Sequence, residues 1–198
     1  MSKYINRFKK SDNGLSYQSR VGHWPKHKFL TENSINMAKI LNENKILKDG
    51  INIFEMGSGG CRNFKYINDL NENINFYAND LNEDASFQNM HDDIKDKVTF
   101  FEKDTLSLVR EYEPDFKIDL LISSGHFMHI DTESFTEILD VIKNKWKPQQ
   151  ILLREVFDKE KENVTREYPR HCHDYDLEDL YDFVFIPDNF RIYTLKNG

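Results

Sequence analysis

Apolar residues at Ile35, Ala38, Ile40, Leu41 and Leu47 recur at roughly helical spacing, and with Thr31 or Asn33 as the cap they predict a helix from Phe29 to Leu47. Asp49-Gly50 then turns the chain into a β-type run, Ile51 to Glu55, which ends in a glycine-rich turn. A second helical stretch with Phe64, Ile67 and Leu70 follows. Three more short β runs, Ile74 to Asn79, Val98 to Glu102 and Ile118 to Ser123, are separated by segments of helical length and composition. A fifth, Gln150 to Glu155, follows an amphipathic stretch from Glu133 to Trp146. Such alternation predicts βαβ units, a parallel sheet with helices on both faces, and right-handed crossovers. Near the C-terminus, Phe183 to Ile186 and Arg191 to Leu195 are joined by only Pro187-Asp188-Asn189-Phe190, which permits a hairpin and forbids a helical crossover. The predicted class is therefore α/β: a Rossmann-like, doubly wound, seven-stranded sheet, mostly parallel, ending in an antiparallel hairpin.

A chain of 198 residues with 38% hydrophobic content supports one core, divided at most into a leading segment and helix, 1–48, and a core, 49–198. The net charge of -7 argues against a general grip on the phosphate backbone of nucleic acid, where Lys and Arg supply most of the affinity. Cys61 and Cys172 are too few for a disulfide framework, and the N-terminus lacks the apolar centre of a signal peptide, so a cytoplasmic setting is expected. No apolar run approaches the ~20 residues that cross a bilayer, and the mean hydropathy is -0.72. No membrane association is expected.

The most informative stretch is Phe54-Glu55-Met56-Gly57-Ser58-Gly59-Gly60-Cys61-Arg62-Asn63. Glycines directly after a strand let the backbone turn sharply and approach a ligand, while the next helix offers free N–H groups and the positive end of its dipole. A dinucleotide turn requires a further glycine where Arg62 stands, which disfavours NAD and FAD. Phe76-Tyr77-Ala78-Asn79-Asp80 is a second strand ending in an acid, and a carboxylate there is suited to accept both hydroxyls of a ribose. Asp104, after the third strand, is open to two readings: a ligand-holding acid, or the N-cap of a helix starting at Thr105. The loop after the fourth strand, Ser124 to His129, belongs at the carboxyl ends of the strands, where ligands bind in open α/β sheets.

With Glu55, Gly57 and Gly59 in register and Arg62-Asn63 following, the first turn resembles the first motif of class I S-adenosylmethionine (SAM)-dependent methyltransferases; Cys61 replaces that motif's third glycine. The resemblance implies a SAM-binding core at 49–198 with S-adenosylhomocysteine as product. It also implies contacts from Glu55, Gly57, Ser58, Gly59, Asn63, Asp80, Leu81, Asp104, Thr105 and Ser124, with Asp80 on the ribose and Asp104 near the adenine amino group. Ser124-Gly125-His126-Phe127-Met128-His129-Ile130 further resembles a Ser-Gly-x-x-x-His-Ile form found in small methylases associated with nonulosonic (pseudaminic) acid biosynthesis; Arg154-Glu155 and the tail at Tyr181 to Ile186 fit the same comparison. By position, the polar aromatic segment with Tyr17, Arg20, His23, Trp24 and His27, ahead of the first helix within 1–48, is expected to act as a lid, with Arg20 pairing the SAM carboxylate and Tyr17 near the substrate.

Methyl transfer chiefly requires alignment and, for some acceptors, removal of a proton. His126 and His129 are the expected catalytic residues, His126 as a base titrating near neutrality or as an aligning group. Arg170, His171 and His173, in the cluster from Tyr168 to Asp176 ahead of a helix at Asp174 to Leu180, are expected with His126 to face the substrate. A His-x-His pair supplies only two ligands, so no metal is expected. The expected reaction is methylation of an oxygen, nitrogen or carboxylate of a small polar metabolite. RNA or protein methylation, and SAM binding without turnover, are the alternatives; the oligomeric state is left undetermined.

Overall fold

Runs such as Leu120-Leu121-Ile122 and Ile151-Leu152-Leu153 have no polar face, so they become stable strands only when both sides are covered. The computed structural model, which describes residues 28–81, 90–154, 175–186 and 190–196, covers them in that way. In chain order the elements are α1 (Lys28–Glu43), β1 (Asn52–Met56), α2 (Arg62–Asn68), β2 (Asn75–Asp80), α3 (Asp92–Lys95), β3 (Val98–Glu102), α4 (Thr105–Glu111), β4 (Leu120–Ser124), α5 (Thr132–Val141), β5 (Gln150–Arg154), β6 (Tyr181–Ile186) and β7 (Phe190–Leu195). The strands form one seven-stranded sheet in the order β3-β2-β1-β4-β5-β7-β6.

The first five strands pair in parallel, β1 with β2 through Phe54↔Tyr77 and with β4 through Glu55↔Ile122. The chain runs outward from β1 to β3 and returns to β4 on the other side of β1. This reversal opens a crevice beyond the carboxyl ends of β1 and β4, which here are Met56 and Ser124. β7 runs antiparallel to both of its neighbours and lies between β5 and β6. The hairpin lies at the end of the sheet, as expected, with its second strand, β7, paired to β5 and its first, β6, at the edge.

Alternation along each strand divides the core in two. Phe54, Met56, Leu121, Leu153 and Tyr193 meet α4 and α5 on one face. Ile53, Ala78, Leu120, Ile122 and Leu152 meet α1 and α2 on the other. Each fully buried residue of this size contributes about 1.5–3 kcal/mol through burial. The stripe of α1 that faces this core is Ser34, Met37, Ala38 and Leu41, spaced i, i+3, i+4, i+7, and its first position is polar.

Two boundaries differ from expectation for local reasons. The helix expected from Glu133 to Trp146 is α-helical only to Val141; Ile142–Trp146 form a π turn that ends at Lys147 in a left-handed conformation, φ +43°. The wider turn brings Trp146 into the core, where its Nε1 donates to Tyr112 O at 3.3 Å. Of the helix expected at Asp174 to Leu180, the described residues 175–180 form only short turns, because Asp176 adopts φ +43° and breaks the helical path.

Candidate functional site

The glycine turn is fastened from β2. Ser58 N donates to Asn79 O (3.0 Å), and Gly59 N donates to Asp80 Oδ2 (3.0 Å). Asp80 Oδ1 accepts from Leu81 N at 2.7 Å. The acid expected on the ribose therefore sits on the turn expected to hold the rest of the ligand. Cys61, at the third-glycine position, takes φ +52° although it carries a side chain, and its buried Sγ donates to Ser58 Oγ at 3.4 Å.

Glu55, at the carboxyl end of β1, is 2% exposed. Its Oε1 accepts from Asn63 Nδ2 at 2.5 Å; Oε2 is buried and has no hydrogen-bond partner among the described residues. Burial pushes this carboxyl from 4.5 up to about 8; the Asn63 bond and the Arg62 charge oppose that shift and the Asp80 charge adds to it. Asn63 is held in turn by Ser34, whose hydroxyl donates to Asn63 Oδ1 at 2.7 Å and accepts from Arg62 Nε at 3.2 Å. Ser34 was absent from the sequence reading. Its signal was a serine at the head of an otherwise apolar helix stripe.

On the other side of the turn, the His126 ring packs directly on Gly57. A Cβ at Gly57, whose φ is +64°, would collide with His126 Nδ1 and Cγ. His126 Nε2 lies 2.7 Å from Thr105 Oγ1, which also accepts from Asn79 Nδ2 at 3.1 Å. Burial, and next the neighbouring His129, push the His126 imidazole from 6.5 down to about 3, against an opposing pull from Asp104. This direction is away from the titration near neutrality expected for a catalytic base, because a buried ring holds a charge only at a cost. His129 follows on the 3-10 turn Phe127–His129, with its N–H donating to His126 O at 3.0 Å. Asn79 lies in the second predicted strand without an assigned role there, and its signal was an amide in the buried part of a strand.

Asp104 caps α4: Oδ1 accepts from Ser107 N (2.9 Å) and Oδ2 from Ser107 Oγ (2.7 Å). Of its two readings the capping geometry is present. Ser124 ends β4 at the crevice, and Gly125 N donates to Arg154 O at 2.9 Å. Tyr17, Arg20, Arg170, His171 and His173 lie outside the described residues. Among the described residues no group of His, Cys, Asp or Glu is arranged to hold a metal ion, and no helix is long and apolar enough to cross a membrane.

These acceptors would suit a nucleoside with a cationic tail. Asp80 places a carboxylate on the turn, and Glu55 Oε2 is a buried acceptor at the end of β1 with no donor among the described residues.

No family model and no curated protein matches this chain. Solved structures do. An O-methyltransferase family protein from Burkholderia thailandensis superposes over 85% of this chain with a TM-score of 0.66 at 14% identity. This chain spans 58% of the length of that protein. Magnesium protoporphyrin IX methyltransferase from Synechocystis PCC 6803, solved with bound SAM, is covered to 92% and covers 99% of this chain, with a TM-score of 0.61 at 14% identity. The small RNA methyltransferase HEN1 matches 84% of this chain, which spans 25% of that protein, with a TM-score of 0.62 at 9% identity. At such identities the likeness is one of fold, and that fold is the Rossmann-like sheet of the SAM-dependent methyltransferases.

Proposed function

We propose that this chain is a SAM-dependent methyltransferase acting on an oxygen, nitrogen or carboxylate of a small polar metabolite. The observation that carries this reading is the meeting of Asp80 with the backbone of Gly59 at the topological switch point, which joins a ribose acceptor to the glycine turn. Glu55, Gly57, Ser58, Gly59, Asn63, Asp80, Leu81, Asp104, Thr105 and Ser124 are the proposed cofactor residues, with Arg20 on the carboxylate. Tyr17, His126, Arg170, His171 and His173 are proposed for the substrate, and His126 and His129 for the reaction.

Bound SAM would supply an activated methyl group on a sulfonium, with S-adenosylhomocysteine as the product. The protein's tasks are to bind, orient and exclude water. Asp80 would hold the ribose side, Glu55, protonated in the ligand-free fold, would give up its proton to receive a cationic group at the end of β1, and His126 would fix the surface opposite the turn. Burial lowers the His126 pKa to about 3, which makes the neutral ring a weak proton acceptor, and in this reading His126 serves to align the acceptor. A net charge of -7 favours a small acceptor over a polyanion.

The test is calorimetric titration of the full chain with SAM, S-adenosylhomocysteine and NAD. It is followed by incubation with methyl-labelled SAM and cell extract, separated into metabolite, RNA and protein fractions. Micromolar binding of SAM and its product, no binding of NAD, and label in the metabolite fraction are expected. Label in RNA or protein would transfer the reading to macromolecular methylation. Binding with no label anywhere would identify a SAM-binding protein, and absence of SAM binding would end the proposal.

A further inference from the structure

The hydrogen bonds that join Lys103 O, Asn79, Thr105 and His126 run in one consistent direction. Lys103 O can only accept, so the Asn79 side chain, 1% exposed, must turn its Nδ2 toward that oxygen at 3.0 Å. The second hydrogen of the same amide points to Thr105 Oγ1 at 3.1 Å. Thr105 Oγ1 therefore receives one hydrogen, and its own hydroxyl hydrogen is directed to its other neighbour, His126 Nε2 at 2.7 Å. Thr105 is 3% exposed, and among the described residues no further acceptor reaches this hydroxyl. An accepting Nε2 carries no proton, so the proton of the neutral ring sits on Nδ1. That atom occupies the space a side chain at Gly57 would need.

We infer that Asn79 and Thr105 are positioning residues that hold His126 as an uncharged imidazole protonated on Nδ1, a fixed surface of the glycine turn whose basic nitrogen is committed to Thr105. The inference rests on the methyltransferase reading only for what the turn binds; the relay itself is a property of the folded chain. It starts from a backbone carbonyl, which cannot titrate or rotate away, and this gives the ring a single tautomer. Among the described residues, the titratable groups that face His126 are His129 from its own turn and Asp104 from the start of α4, and they act on it in opposite directions. Burial outweighs both and agrees with a ring that stays neutral.

The test is nitrogen NMR of the full chain labelled at histidine, between pH 5 and 8, with and without SAM. In the parent, His126 is expected to show protonated Nδ1 and unprotonated Nε2 throughout the range. Asn79→Asp should reverse the tautomer, since a carboxylate accepts the Thr105 hydroxyl and leaves Oγ1 to accept from Nε2–H. Thr105→Val should remove the single-tautomer signature and Thr105→Ser should restore it. Adding SAM should shift the His126 ring signals in the parent. A parent ring protonated on Nε2, a His126 titration inside the range, or SAM binding that leaves the ring signals unmoved would overturn the inference. The parent spectrum decides this without relying on any variant to fold, and failure of SAM to bind would count against the proposed function while leaving the tautomer to be read independently.

Discussion

The ring of His126 fills the space beside Gly57 that any other residue would need for its side chain. A motif glycine after β1 and a histidine after β4 therefore fit as one unit across the centre of the sheet. Gly57→Ala combines a positive φ of +64° with this collision. It is expected to cost more than about 2 kcal/mol in chemical denaturation. In a Gly57→Ala/His126→Ala double variant part of that loss should return, because the collision is gone while the backbone strain remains; simple additivity in this cycle would show that the two residues are not coupled.

Asp80 accepts from Gly59 and Leu81 as well as serving the proposed ribose contact. Asp80→Ala is expected to weaken SAM binding well over tenfold, since hydrogen bonds to a charged group contribute ~1.5–3 kcal/mol each. Calorimetry gives the affinity, and the same affinity in parent and variant would reject the ribose assignment.

Glu55 and His126 impose opposite pH slopes on stability. The Glu55 pKa is raised from 4.5 to about 8 in the fold, so the native state holds the extra proton and stability declines as pH rises through that interval. The His126 pKa is lowered from 6.5 to about 3, so the unfolded state takes up the extra proton and stability declines as pH falls through that interval. The ligand-free protein should therefore be most stable at mildly acid pH. Glu55→Gln preserves the hydrogen bond from Asn63 and removes the ionisation, so it should raise Tm at pH 8 more than at pH 5. Parallel Tm curves for parent and variant would contradict the buried, protonated state of Glu55.

Asp104 tests two roles at once. Loss of the cap in Asp104→Ala should cost about 1 kcal/mol, whereas Asp104→Asn should keep the cap and most of the stability. If Asp104 also holds the adenine amino group, Asp104→Asn should weaken SAM binding with little change in Tm. Thermal melts and calorimetry on the two variants separate the contributions.

The sequence by itself determined the α/β alternation, because continuous apolar runs such as Leu120-Leu121-Ile122 cannot be half exposed, and turn residues mark their ends. It also determined the glycine turn and the acid of Asp80, since both depend on residue type at the end of a strand. The position of β7 inside the sheet was not legible, because a three-residue connection at 187–189 fixes the hairpin and leaves open which of its strands meets β5. Nor was the state of His126: its spacing from the strand suggested a base, while its protonation depends on burial and on Thr105, 21 residues away in the chain. Periodicity and residue type are local properties, so the chain carries them directly. Desolvation and hydrogen-bond direction arise only when distant segments enclose the same atoms, and tertiary structure alone decided them.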